Sequence, residues 1–184
     1  MHQSIARLGK ITSILAGILL IVAHSLNLGA GNYGSVPGSL LTFLAHLLLI
    51  FVFFCLYIYH GETNGLVGFL AMLLGNIGNV IVTAIVYVEM AEASKEKLSQ
   101  VFTNPMNEPI HNFGPLLFVI GMILLGTLII RGKRLPAYIG YLLLVGTIVF
   151  AGATATGDYQ RAIEVLGAIF TGAGFIFAGV KVKS

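Results

Sequence analysis

Six long apolar stretches are the feature that most constrains what this sequence can fold into. Each has about the roughly 20 residues that an α-helix needs to cross a bilayer. They cover about residues 7–28, 37–59, 66–90, 111–130, 137–156 and 161–180. The stretches are continuously apolar rather than alternating, which argues against a membrane β-barrel. The sequence therefore predicts an all-α integral membrane protein, a bundle of six transmembrane helices in a single domain over residues 1–184.

The low charge content supports lipid as the solvent of this chain. Charged residues make up 9% of it and hydrophobic residues 57%, whereas soluble domains have roughly 25% charged residues. The few basic residues lie at the ends of the apolar stretches, so no nucleic-acid partner is indicated. The single cysteine, Cys55, excludes an intrachain disulfide and a CxxC motif. The expected partner is thus the lipid bilayer.

The basic residues predict how the bundle is oriented, because cytoplasmic loops carry an excess of Lys and Arg. With six spans, both termini lie on one side. Seven of the ten basic residues fall on that side: Arg7, Lys10, Arg131, Lys133, Arg134, Lys181 and Lys183. Lys95, Lys97 and Arg161 fall on the other. We therefore expect both termini to be cytoplasmic, in a bacterial-type plasma membrane. His2 and His60 would then be solvated at the cytoplasmic face.

Six polar residues stand out because they fall within or at the ends of the apolar stretches. An ionisable or amide side chain at membrane depth is costly and normally faces the protein interior. These residues are His24, His46, Asn76, Asn79, His111 and Glu164. Counted from the helix ends, they lie in the outer half of the bundle, whereas Leu, Ile and Phe dominate the inner half. The sequence therefore predicts a polar, His-lined cavity that opens outward.

Haem binding is the leading functional prediction for this cavity. Histidines on facing helices hold haem b in membrane bundles, and His24 with His46 or His111 could supply one or two axial ligands. Asn76 and Asn79 would line the same site. The chain would then be a tetrapyrrole-binding electron-transfer or accessory protein.

Three other functions fit the same residues. His24, His46, His111 and Glu164 have the donor types of a Zn²⁺ site, whose bound water could hydrolyse a lipid-like substrate. A small transporter or ligand-binding protein is the second alternative, with a helix break at residues 75–79 and a homodimer expected for so short a chain. The third is a structural subunit of a larger membrane complex. Whether the chain is an enzyme is left open by the sequence.

Overall fold

The computed structural model describes residues 3–31 and 33–182, and the side chains of all of these except residues 61–64. Its helices are α1 (Gln3–Leu26), α2 (Val36–Ala93), the short α3 (Gln100–Thr103), α4 (Glu108–Gly132), α5 (Ala137–Gly152), a 3-10 helix (Ala153–Tyr159) and α6 (Gln160–Lys181). The prediction of an all-α chain is confirmed for the described residues, which contain no strand. His2 and Lys183 lie outside the described residues.

Helix α2 is folded back on itself at one residue, Gly65. The backbone there has φ 47° and ψ −126°, a conformation that a residue without a Cβ adopts readily. The two arms, Val36–His60 and Gly65–Ala93, therefore run antiparallel. Near this reversal, the rings of Tyr57 and Phe69 pack edge-on with centroids 6.4 Å apart.

Gly157 reverses the chain in a similar way at the other end of the molecule. Its φ of 56° and ψ of −122° almost match those of Gly65. The residue lies in the 3-10 helix and folds α6 back on α5, where the two helices pack together.

Six helical arms form a closed ring: α1, the two arms of α2, α4, α5 and α6. Each packs antiparallel on the next, and α6 closes the ring on α1. Glycine lies at every crossing: Gly9 at Cys55, Gly75 at Phe53, Gly121 at Gly75, Gly126 at Gly140, Gly146 at Thr171 and Gly172 at Gly17. A Cβ at any of these positions would collide with the opposite arm, so the glycines permit the close approach that small residues give to membrane helices.

Because the number of antiparallel arms is even, both described termini lie at the same end of the ring, which we call the terminal end. The opposite end, the loop end, carries residues 27–31, 94–107 and 153–159. A guanidinium hydrogen bond links two segments of the chain at each end. The Arg134 guanidinium donates to the Tyr59 carbonyl at the terminal end (2.9 Å). The Arg161 guanidinium donates to the Gly31 carbonyl at the loop end (3.2 Å).

The outside of the ring is apolar. Large exposed apolar side chains occur on every arm, among them Leu15, Phe51, Val80, Ile120, Ile148 and Phe177. Five helical stretches are long and apolar enough to cross a membrane: Gln3–Leu26, Val36–His60, Gly65–Ala93, Glu108–Gly132 and Ala137–Lys181. The last contains both α5 and α6. These stretches are compatible with an integral membrane location.

The interior changes character along the ring. Buried polar side chains are concentrated toward the loop end: His24, Asn27, Ser39, Thr42, His46, Asn79, Thr83, Thr147 and Glu164. Toward the terminal end the interior is filled mainly by large apolar side chains, with Leu49, Phe53 and Phe175 almost completely buried. The helices thus present hydrogen-bonding groups to one half of the interior and hydrocarbon to most of the other.

His60 is an exception in the apolar half, and the expectation that it is solvated is wrong. It is fully buried, and its Nδ1 lies 3.3 Å from the Leu56 carbonyl oxygen. The loop after α4 covers this end of the arm, where Arg134 hydrogen-bonds to Tyr59. Sequence position alone placed His60 at a helix end without showing that another loop folds over it.

Candidate functional site

His46 and Asn79 form the deepest polar contact of the loop half, between the two arms of α2. The Nδ1 atom of His46 lies 2.7 Å from Oδ1 of Asn79, and Nδ2 of Asn79 donates to the His46 carbonyl oxygen at 2.7 Å. Because the amide nitrogen faces that carbonyl, the amide oxygen must be the atom facing the imidazole. The His46 Nδ1 therefore carries the hydrogen and donates it, and in the neutral ring Nε2 has the free lone pair.

Two further contacts hold this pair in place. The Thr83 hydroxyl donates to the Asn79 carbonyl oxygen (2.7 Å), and the His46 ring packs edge-on against Phe118, with centroids 5.5 Å apart. His46 lies ten residues into α2, about 15 Å along the helix at roughly 1.5 Å per residue. It is therefore a fixed, hydrogen-bonded side chain far from the ends of its helical arm.

His24 lies closer to the loop end and is bound differently. Its ring packs edge-on against Phe150, with centroids 4.8 Å apart, and the residue is only 8% exposed. Its Nδ1 has no hydrogen-bond partner in the described part of the chain. The ring lies within electrostatic range of His46 and Arg161. It is thus a buried polar group with unused hydrogen-bonding capacity.

The start of α6 adds an ion pair to the same end of the interior. Arg161 and Glu164 are bonded at 2.8 Å, with side chains 26% and 10% exposed. The Gln160 amide also donates to the Glu164 carboxylate (2.8 Å). The carboxylate of Glu89, on the second arm of α2, lies within electrostatic range of both Arg161 and Glu164.

We call His24, Glu89, Arg161 and Glu164 the loop-end cluster. It gathers ionisable groups from three helices, α1, α2 and α6. Arg161 was outside the predicted site, although its spacing of three residues from Glu164 is the signature of an ion pair on a helix. Phe150, which packs on His24, gave no such signal, because its position depends on how α5 and α1 each pack on α6.

Two of the predicted site residues lie apart from the His46–Asn79 pair and the loop-end cluster. His111, at the start of α4, packs its ring on Phe102 with centroids 4.3 Å apart, and its Nδ1 lies 3.1 Å from the Asn112 amide oxygen. Asn76 lines a groove on the outer side of the α2 hairpin. The structure therefore places His24, His46, Asn79 and Glu164 in the polar half of the interior and leaves Asn76 and His111 outside it.

The four residues predicted to bind zinc are not assembled as a ligand set. No group of three or more His, Cys, Asp or Glu side chains is close enough to hold a metal ion within the residues described. His111 in particular packs on Phe102. Zinc binding through His24, His46, His111 and Glu164 stays a prediction that would require these side chains to move.

The expected break at residues 75–79 is wrong. These residues are helical, and the non-helical position that the structure describes within α2 is Gly65. The glycines that suggested a break serve packing instead. A Cβ on Gly75 would collide with the Phe53 ring, and one on Gly78 with the backbone of Phe118.

Two cavities lie in the groove between the arms of α2, with volumes of about 570 and 400 Å³. Apolar side chains such as Leu47, Ile50 and Val80 dominate their linings, and no histidine lines either. The predicted His-lined cavity is therefore neither of these grooves.

No protein-family model, no curated protein and no solved structure matches this chain.

Proposed function

We propose that the chain is an integral membrane protein of six spans that binds or transports a small positively charged solute at the loop-end cluster. The observation that carries this proposal is the charge of the cluster. Glu89 and Glu164 provide two carboxylates and Arg161 one guanidinium, so the cluster has one excess negative charge when both carboxylates are ionised. Such a charge is costly in a low-dielectric interior unless a cation compensates it.

The neighbouring groups suit a small polar cation. The Nδ1 of His24 is buried without a hydrogen-bond partner among the described residues, so it can interact with an incoming solute. Ionisable side chains within membrane segments commonly mark ion or substrate pathways. The apolar outer surface and the polar loop half of the interior support a site inside the bundle rather than at its lipid-facing surface.

The proposed orientation has both termini in the cytoplasm and the loop end outside. It rests on the excess of basic residues at the terminal end, where Arg131, Lys133 and Arg134 form a compact basic loop. The loop-end cluster would then face the exterior, and the apolar half would close the interior toward the cytoplasm. Labelling of single cysteines by a membrane-impermeant reagent in intact cells would test this orientation.

Charge displacement in proteoliposomes on a solid-supported membrane tests the binding proposal. The probes are Na⁺, K⁺, ammonium, guanidinium and methylammonium, added singly to the unmodified protein. We expect a saturable displacement for at least one probe, and at least a tenfold weaker apparent affinity in Glu89→Gln, which removes the excess negative charge.

The matched control is Glu108→Gln, an exposed carboxylate at the same end of the molecule. It should leave the displacement unchanged, because Glu108 is outside the cluster. The absence of a saturable signal for every probe would contradict the proposal. Equal losses in both variants would mean that only the surface charge matters.

Haem binding is the second candidate, favoured by the unpartnered Nδ1 of His24 at a buried position. An absorption spectrum of the purified protein tests it directly. A Soret band that is lost in His24→Ala or His46→Ala would support the haem prediction and displace the cation proposal. A colourless protein with stoichiometric zinc would favour the hydrolase instead. A colourless, metal-free protein with no displacement signal would leave the structural-subunit alternative.

A further inference from the structure

The groove on the outer side of the α2 hairpin contains a polar residue that its surroundings do not satisfy. The two cavities share Ile50 and Val80, so they form one continuous furrow between the arms. Asn76 lines the narrower part, and both its Nδ2 and Oδ1 are buried without a hydrogen-bond partner in the described part of the chain. The furrow is otherwise lined almost entirely by hydrocarbon.

The amide is covered in this side-chain conformation and no described group satisfies it, so it gains a partner from outside the chain only after it turns toward the furrow. Asn76 lies near the middle of the arm Gly65–Ala93, where the surrounding lipid tails can neither donate nor accept a hydrogen bond. A lipid tail in the furrow would fill the space and leave both amide atoms unpaired. The occupant must therefore bring a hydrogen-bonding group to mid-membrane depth.

We propose that this furrow is the interface of a homodimer centred on Asn76. A carboxamide is both a donor and an acceptor, so an identical carboxamide satisfies both of its atoms. A twofold axis at this site would pair Asn76 with Asn76 of a second copy, because such an axis brings the same patch of both subunits together. Rotation of the side chain about its χ angles would bring the now-covered amide to the interface.

The shape of the furrow suits the same occupant. Its rims carry large exposed apolar side chains, including Leu47, Phe54, Ile77 and Tyr87. Those of one copy can fill the furrow of the other. The furrow lining contains no charged residue, so no like charges would oppose each other across the axis. Interhelical amide hydrogen bonds are a known source of membrane-helix association.

Energy transfer between donor- and acceptor-labelled copies in liposomes, measured over a range of protein-to-lipid ratios, tests the dimer. We expect specific dimerisation of the unmodified chain and a dissociation constant roughly 3- to 15-fold higher in Asn76→Leu, the range that single membrane hydrogen bonds support. The replacement breaks no described hydrogen bond, so its fold should survive, and its unfolding midpoint is the check. Val80→Trp, which fills the furrow, is a second variant and should also weaken association.

Cysteine crosslinking locates the interface independently of Asn76. In a Cys55→Ala background, Ile77→Cys should form an intermolecular disulfide under oxidation. The control is Ile148→Cys on α5, which should not, although Ile148 is more exposed than Ile77 (62% against 43%). A monomer at all protein densities would overturn the proposal, as would equal crosslinking at both positions. A tightly bound lipid or a different membrane protein in the furrow, with the chain itself monomeric, would also overturn it.

Discussion

The two halves of the bundle interior are held together in different ways. Toward the terminal end, Leu49, Phe53 and Phe175 belong to one hydrophobic core and have almost no exposed surface. Toward the loop end, the interior is held by specific polar pairs such as His46 with Asn79. Lipid tails are as apolar as leucine, so transfer out of lipid contributes little to membrane-helix association, and packing and hydrogen bonds must supply it.

The difference distinguishes a rigid part of the interior from a part whose polar groups can exchange hydrogen-bond partners. Packed hydrocarbon has one good arrangement, and any shift opens a void. A polar group accepts a new partner whenever that partner offers the same hydrogen bond or charge. We therefore regard the terminal half as the part that fixes the six arms, and the loop half as the part that can bind a solute.

The largest effect is expected where backbone lies against backbone. In Gly121→Val, the new side chain would collide with the backbone of Gly75, and two helix backbones cannot yield locally. We expect a loss of about 3 kcal/mol in the free energy of unfolding, the upper end of usual overpacking costs. Unfolding in mixed micelles with increasing SDS measures it. Gly152→Val is the control, since a Cβ there meets nothing within 4 Å. Equal unfolding midpoints for the two variants would contradict the close crossing of Gly121 and Gly75.

Removing a ring from the apolar half should have the next largest effect. Phe53 is 1% exposed and contacts the Phe118 ring, with centroids 6.0 Å apart. Phe53→Ala should cost about 2–3 kcal/mol, since a void of roughly 100 Å³ costs ~24 cal/mol per Å³. The neighbouring Phe54 is 47% exposed, so Phe54→Ala should cost little in the same unfolding assay. A similar loss in both variants would contradict a packed terminal half.

A smaller effect is expected for the polar pair. Asn79→Leu removes both hydrogen bonds to His46 and leaves its imidazole and carbonyl groups without those partners. We expect a loss of about 1–2 kcal/mol in the same assay. Asn76→Leu is matched in size and lies on the same arm, but its amide makes no described hydrogen bond. If Asn76→Leu is as destabilising as Asn79→Leu in dilute, monomeric micelles, the polar pair contributes nothing specific.

The smallest effect on stability is expected for His24. Its Nδ1 has no partner among the described residues, so His24→Leu loses only the ring contact with Phe150. We expect a change within about 1 kcal/mol, together with weaker solute binding in the charge-displacement assay. His46→Leu should destabilise more, because His46 is hydrogen-bonded. A strongly destabilised His24→Leu would show that His24 is structural.

Hydropathy predicted the helices because it depends on local composition alone. The concentration of His24, His46, Asn79 and Glu164 in one half of the interior was also predictable, since their distances from the helix ends are readable from the chain. The hydrogen-bond and packing partners of these residues were not predictable. Asn76 and Asn79 differ by only about 60° around one helix, yet the first borders the outer furrow with its amide unpaired and the second is hydrogen-bonded to His46.

That rotation is set by contacts that no local pattern contains. Gly75 approaches Phe53 on one neighbouring arm and the Gly121 backbone on another, and these crossings determine which side of the arm faces inward. The same reason applies to buried His60, whose neighbour Tyr59 is hydrogen-bonded by Arg134 of a distant loop. Sequence reasoning found the polar residues but could not assign each one to interior, furrow or surface.

The single-residue reversals at Gly65 and Gly157 have a consequence for biosynthesis. Each joins two helical arms with scarcely any chain between them, so neither arm can settle across the bilayer long before its neighbour. In the membrane topology proposed above, the arms of α2 would enter the membrane together as one hairpin as the nascent polypeptide leaves the ribosome, and α5 with α6 as another. The insertion machinery would then meet four units, two single helices and two hairpins, rather than six.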